Sequence, residues 1–428
     1  MECQHANLNR HVSILNILIK PLNIVYFFSI LISFTSRIGN YEVNIYIKYL
    51  ISIARILFFL IHISYKRNKN VINIIKRYFI YFAIPFIYIG LITLVIWLLK
   101  LDFEFTYFTR LVSSILYYFL YISLPAIGFY FFGKKIINYI FFAMVFSYIC
   151  FSFIPFVLTD SLFGLISSLL HFKEYGNTML EVHDLVLTSG MTLVYLLFFE
   201  DKKEKFHKSK ILLNIFLILA GFKRIVFLSL ICVVLIVFIF KKIRKSKLKI
   251  FLTSGSTILM CFAFIYIVKS GILNDLVAAY GINTSGRIEM YNFACDYFDF
   301  SPFYIGTGFS RFTKMFEALY ESGFALNGHR IPASIHSDVL SLYIELGFFG
   351  FLILILYITC IRPLQIRKLG NSCIVNIYLC LTFYMIILLL TDNVFNYFIF
   401  QSVYFSLPLS ALNINYKVKR QAVIKKGE

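Results

Sequence analysis

The chain has 428 residues, 60% of them hydrophobic and only 14% charged, with a mean hydropathy of +0.81. That composition excludes a water-soluble globular fold, and apolar runs of about 18–22 residues, long enough to cross a bilayer, recur from end to end. The net charge of +20 does not point to nucleic acid as a partner, because the lysines and arginines cluster in short connectors between apolar runs, as topology signals do.

In chain order, spans are expected at 18–37, 45–65, 78–99, 107–132, 136–158 and 185–199, then at 211–222, 225–240, 250–268, 338–359, 374–391 and 394–412. The first run lacks a small-residue cleavage site and is followed by further spans, so it is read as a retained helix. Basic connectors follow in alternation. They are Lys66–Arg77, Lys134–Lys135, Lys202–Lys210, Lys241–Lys249, Arg362–Lys368 and the tail Lys417–Lys426. All six fall on one side if both termini are cytoplasmic. The opposite side carries a 159–184 loop with Asp160, Glu174, Glu181 and Asp184 against Lys173, and a nearly charge-balanced loop at 269–337.

Residues 211–240 require a choice. As one straight helix they would be about 45 Å long, against a hydrocarbon core of about 30 Å, and the basic segments on either side would face opposite compartments. A hairpin keeps both ends cytoplasmic, with Gly221 expected at the turn and Lys223 and Arg224 at or below the outer surface. The sequence therefore predicts an all-α integral membrane protein of about twelve transmembrane helices. Residues 1–428 form a single polytopic domain, with the large outer loop 269–337 before the last three spans.

Polar chemistry concentrates in that loop, which holds Ser285-Gly286-Arg287-Ile288-Glu289 and Ile305-Gly306-Thr307-Gly308-Phe309. It ends in His336-Ser337-Asp338, entering a helix with Glu345, Gly347 and Gly350. No clustered ligand set suggests a metal, and no P-loop or dinucleotide fingerprint suggests a cofactor. Cys295 is the only cysteine in the loop, so no disulfide is expected there.

In this order and topology, the arginine hairpin, Ser-Gly-Arg287, the Ile-Gly-x-Gly turn and His336-Ser337-Asp338-Val339-Leu340 through Gly347 and Gly350 resemble the O-antigen polymerase and O-antigen ligase family. The resemblance is architectural over nearly the whole chain. It implies a metal-independent glycosyltransferase of the bacterial cell envelope, in the inner membrane with its active site facing the periplasm or exterior. Its donor and acceptor would be polyprenyl-pyrophosphate-linked oligosaccharides of lipopolysaccharide or capsule, and a chain-length regulator would be a partner. Arg224 and Arg287 match the family's arginines, which implies a pyrophosphate contact. His336 matches its histidine, as a base or a further phosphate contact. Arg311, Lys314, His329 and Arg330 are then candidate glycan or phosphate contacts. The biased, A+T-rich composition favours a polymerase over a ligase, and a flippase for lipid-linked repeats is the rival from another class.

Read alone, the same residues also fit plainer roles. Arg224 fits a snorkelling anchor, Arg287 an ion pair with Glu289 or Asp296, and His336 a helix cap. Arg311, Lys314, His329 and Arg330 fit solvated loop charge, and Gly347 and Gly350 close helix packing.

Overall fold

The structure is a computed structural model that describes residues 23–35, 37–38, 41–42, 45–65, 69–100, 103–154, 183–221, 223–281, 286–323, 325–326, 329–330, 334–370 and 372–412. The expected 159–184 loop up to residue 182, Ser285 and both chain ends lie outside the described residues.

The described chain is helical apart from two two-residue β-pairings. The helices are α1 (Asn23–Phe34), α2 (Ile45–Tyr65), α3 (Lys69–Lys100), α4 (Phe105–Phe132), α5 (Ile136–Tyr148) and α6 (His183–Phe198). Then follow α7 (His207–Gly221), α8 (Arg224–Lys242) and α9 (Ser246–Lys269). Three short helices lie in the loop: α10 (Ile272–Tyr280), α11 (Arg287–Cys295) and α12 (Arg311–Glu321). The last are α13 (Asp338–Arg367), α14 (Ser372–Leu389) and α15 (Phe398–Ser406).

A helix overlies each of the twelve expected segments, yet only seven helical runs among the described residues are long and apolar enough to cross a membrane. One run, Phe105–Phe151, takes in two expected spans, and Gly133 at φ 57° breaks it between α4 and α5. The short members explain the rest of the difference. Fifteen helical residues such as Asp184–Phe198 rise only about 22 Å, less than a hydrocarbon core of about 30 Å. Of these short helices, α6 and α15 are buried almost throughout, whereas α1 exposes Val25 and Phe28 and α7 exposes Leu212 and Leu219. In α14, 78% of the window is buried, against 17% of Tyr46–Ile63 in α2 and 28% of α8, so α14 is central and α2 and α8 present their apolar faces outward.

The hairpin at 211–240 forms, though Gly221 is not what turns it. Gly221 is the last residue of α7, where its missing side chain lets Val186 of α6 approach. After the turn Val226 comes within 2.8 Å of where a Gly190 Cβ would stand, so α8 runs back along α6. The reversal falls between Gly221 and Arg224, and it leaves Lys223 buried and Arg224 exposed.

Helix α13 is broken inside its first half at Gly347, with φ 73° and ψ −179°. The Ile-Gly-Thr-Gly turn fills the break. Thr307 N donates to Ile344 O at 3.0 Å, Gly308 N to Glu345 O at 2.8 Å, and Phe348 N to Tyr304 O at 2.8 Å. Backbone groups freed by the break are thus satisfied by the loop, as an apolar interior requires. Gly306 and Gly347 meet back to back: a Cβ on Gly306 would lie 2.5 Å from Glu345 O, and one on Gly347 2.5 Å from Tyr304 O. No side chain fits there. The paired glycines and the Gly-x-Gly turn are therefore one structural joint that fixes the large loop onto α13.

Candidate functional site

Two backbone segments clamp each other where α13 begins and α14 ends. Ser337 caps α13, its Oγ accepting from Leu340 N at 3.2 Å and donating to Leu389 O at 3.5 Å. Asp338 Oδ2 accepts from Phe395 N at 2.6 Å, Asp338 N donates to Asp392 O at 3.3 Å, and Asn393 Nδ2 donates to Ser334 Oγ at 2.5 Å. Between these fastenings His336 is held at φ 51°, a left-handed conformation that a non-glycine residue adopts only under constraint.

Arg287 and Tyr291 sit four residues apart on α11, hence on one face. The Tyr291 hydroxyl donates to His336 O at 3.4 Å, tying that face to the clamp. Burial pushes the Tyr291 phenol up to about 12, with Arg287 pulling the other way. Helix α11 is itself held by Lys269, whose Nζ donates to Cys295 O at 2.7 Å and Phe298 O at 2.5 Å.

Beneath His336 lies a buried ion pair. Lys223 Nζ donates to Asp392 Oδ2 at 2.9 Å, with side chains 6% and 4% exposed. Asp392 Oδ1 accepts from Asn393 N and from the Tyr397 hydroxyl, each at 2.9 Å. Burial alone would raise the Asp392 carboxyl, but Lys223 and these hydrogen bonds outweigh it and hold the group below the ordinary 3.8. For His336, burial is the largest influence and lowers its pKa below the ordinary 6.5. Asp392 pulls it up, while Arg287 and Lys223 push it down. The imidazole is therefore neutral at pH 7 and able to take a proton. Arg287 has no carboxylate among the described residues within ion-pair distance, including Glu289 and Asp296. One guanidinium thus remains for an incoming anion.

The other expected residues are placed differently. Arg224 begins α8 next to Lys223 and is exposed. Arg311 and Lys314 lie on α12 in a second group. There the Arg311 guanidinium is 5.7 Å from the Tyr107 ring, Lys314 is 3.6 Å from Glu317, and Arg110 also pairs with Glu317. Buried Glu345 anchors this group to α13 by accepting from Thr313 N at 3.1 Å and Thr313 Oγ1 at 2.9 Å. His329 and Arg330 form a backbone pairing with Leu326 and Ala325, and their side chains lie outside the described residues. Among the described residues, no three His, Cys, Asp or Glu side chains gather as a metal site.

Sequence reasoning missed Asp392 and Tyr291, and it treated Lys223 only as part of a turn. Asp392 carried a usable signal. It is the only acidic residue between Glu345 and Glu428, set between two apolar runs where an ionisable group is costly without a partner.

No curated protein matches the chain. A family model described as O-antigen ligase matches residues 211–356, which contain Lys223, Arg287 and His336 but end before Asp392. The match covers the hairpin, the large loop and the start of α13, about a third of the chain, and over that stretch the chain is similar to the O-antigen ligase family.

Proposed function

We propose that the protein is a polymerase that joins polyprenyl-pyrophosphate-linked oligosaccharide repeat units at the outer face of the inner membrane, crossing it about twelve times with both termini inside. The observation that carries this reading is the Tyr291 hydrogen bond to His336 O, which fastens to the His336 clamp the α11 face that also carries Arg287, a guanidinium with no carboxylate partner among the described residues. Arg287 grips the pyrophosphate of the donor in bidentate fashion, and Arg224 supplies a second positive charge nearer the surface. His336 accepts the proton of the acceptor hydroxyl as its oxygen bonds to the anomeric carbon. The bond from that carbon to the phosphate oxygen breaks, and polyprenyl pyrophosphate departs with the electron pair. No metal takes part. Arg311, Lys314, His329 and Arg330 contact the growing glycan or its phosphate further along the loop.

The family model's own description favours a second reading, transfer of the finished glycan to a lipid acceptor by a ligase. Surface-glycan gels of cells lacking the protein separate the two. Loss of the long ladder with a single repeat retained supports polymerase, whereas loss of every repeat with lipid-linked polymer accumulating means ligase. An unchanged profile restores the flippase. In complemented cells His336→Ala and Arg287→Ala are each expected to remove long polymer at unchanged membrane level. Loss of a general base alone costs about 10²–10⁴-fold. Normal ladders from both variants exclude this site.

A further inference from the structure

The far end of the molecule holds a second polar assembly that the polymerase reading does not use. Helix α14 begins beside it at Cys373 and ends near Asp392, so about 27 Å of helix separates the two ends. Helices α6 and α15 make the same crossing. Asp184 at the start of α6 caps the start of α15 through Phe400 N at 3.0 Å, while Glu200 just after α6 and Ser410 after α15 reach the second assembly. This assembly is a cavity of about 630 Å³, within the usual range of about 300–1,000 Å³ for small-molecule sites.

Its floor is complete. The Glu200 carboxylate takes Lys210 on one oxygen and His207 Nδ1 at 2.7 Å on the other, and Lys210 Nζ also donates to Asn138 Oδ1 at 3.0 Å. Its rim is not. Lys134, Lys135 and Lys205 face the cavity together with Asp201 and Glu204, and all five are exposed. No ion pair among the described residues joins these lysines to these carboxylates. Both signs of charge are therefore presented separately to one space. The walls between them are aromatic, including Tyr139, Phe142 and Phe206. Phe206 is held at φ 65° and is 52% exposed, with the Lys205 ammonium 4.9 Å from its ring. A strained, bulky apolar residue at a charged lip is costly in water and suited to lie along an acyl chain.

We propose that this cavity binds an aminophospholipid from the leaflet on the basic-connector side, as a structural lipid. The lysines of the α4–α5 turn take its phosphate, Asp201 and Glu204 take its ammonium, and the aromatic wall takes the start of its acyl chains. A headgroup that carries both charges satisfies both sides of the rim. A purely anionic headgroup leaves two carboxylates facing negative charge, and a sugar leaves all five charges unmet. By bracing α6, α14 and α15 at their inner ends, the lipid supports the helices whose outer ends carry Asp184 and Asp392.

The test uses the purified full-length protein in nanodiscs with a choline-lipid background, to which phosphatidylethanolamine or phosphatidylglycerol is added. Retained lipid is counted by native mass spectrometry. Wild type is expected to retain phosphatidylethanolamine at least about tenfold better than phosphatidylglycerol, a difference of about 1.4 kcal/mol. The Lys134→Gln/Lys135→Gln variant is expected to lose both lipids. The Asp201→Asn/Glu204→Gln variant is expected to lose the ethanolamine lipid and gain the glycerol one. Thermal melting in lipid-free detergent, unchanged for both variants, separates lost binding from lost fold. Equal retention of the two lipids by wild type overturns the proposal, as does undiminished phosphatidylethanolamine on both variants. Displacement by inorganic phosphate as effective as by phosphoethanolamine overturns the role given to the carboxylates.

Discussion

Two buried ion pairs stand at opposite ends of the same helices, called inner and outer after the proposed topology, and they differ in what surrounds them. At the inner end both oxygens of Glu200 are used by cation-forming side chains, Lys210 and His207, and Lys210 has Asn138 as well. At the outer end only one oxygen of Asp392 meets a cation. Lys223 takes Oδ2, while Oδ1 is satisfied by a backbone N–H and a tyrosine hydroxyl. Arg287 and His336 then stand close enough to act on the same electrostatic field without a carboxylate of their own. The inner pair is a closed account of charge. The outer end carries surplus positive potential, which a structural ion pair does not need and an anionic leaving group does.

Removing one partner from each pair tests this contrast. Asp392→Ala leaves Lys223 buried without its carboxylate, a change that costs about 3–5 kcal/mol, and it also disturbs the field at His336. The expected result is a large fall in unfolding stability in detergent and no long polymer from the molecules that remain folded. Glu200→Ala carries a similar cost of about 3–5 kcal/mol, because Lys210 is 1% exposed. Here the expectation is lower protein abundance with ordinary polymer length per folded molecule. A Glu200→Ala protein that folds yet makes no polymer removes the distinction between the two ends. So does an Asp392→Ala protein that polymerises normally.

The difference between the two ends also marks how far the sequence could be read. Span-length apolar runs were legible because bilayer thickness acts on whole segments, and seven helical runs among the described residues have that length. Arg287 and His336 stood out in the sequence because they sit in short motifs that resemble a known family, and their roles belong to the proposal. Lys223 and Asp392 lie 169 positions apart, and neither carries a local pattern, so their pairing exists only once α8 has folded back beside α14. The choice of Arg224 over Lys223 shows the same limit. Both follow Gly221 in a short turn, and only the packing of α6 against α7 decides which of the two faces inward. The glycines were read as two separate motifs, Gly306 with Gly308 and Gly347 with Gly350, but Gly306 and Gly347 have meaning only as a touching pair. The separation of Arg311 and Lys314 into the Glu317 group likewise depends on the start of α4, some 200 residues earlier in the chain.

The smallest effect expected from this contrast is a pH dependence set by His336. His336 is buried with Arg287 and Lys223 pushing against its protonation and Asp392 only partly opposing them. Because the folded pKa of His336 lies below 6.5, the unfolded chain binds the proton first as pH falls. Stability that is complete above about 6.5 is therefore lost between that value and the lower folded one, and no further below it. The loss is about 1.4 kcal/mol for each unit of depression. Asp392 does not contribute in that window, since its own pKa is held below 3.8. Unfolding curves of wild type and His336→Gln, recorded from pH 8 to pH 5, should diverge as the wild-type midpoint drops below pH 6.5 while the variant declines less. A wild-type midpoint that rises relative to the variant across that window would mean that His336 is protonated on folding, and the imidazole would then act as a third cation for the pyrophosphate rather than as the base.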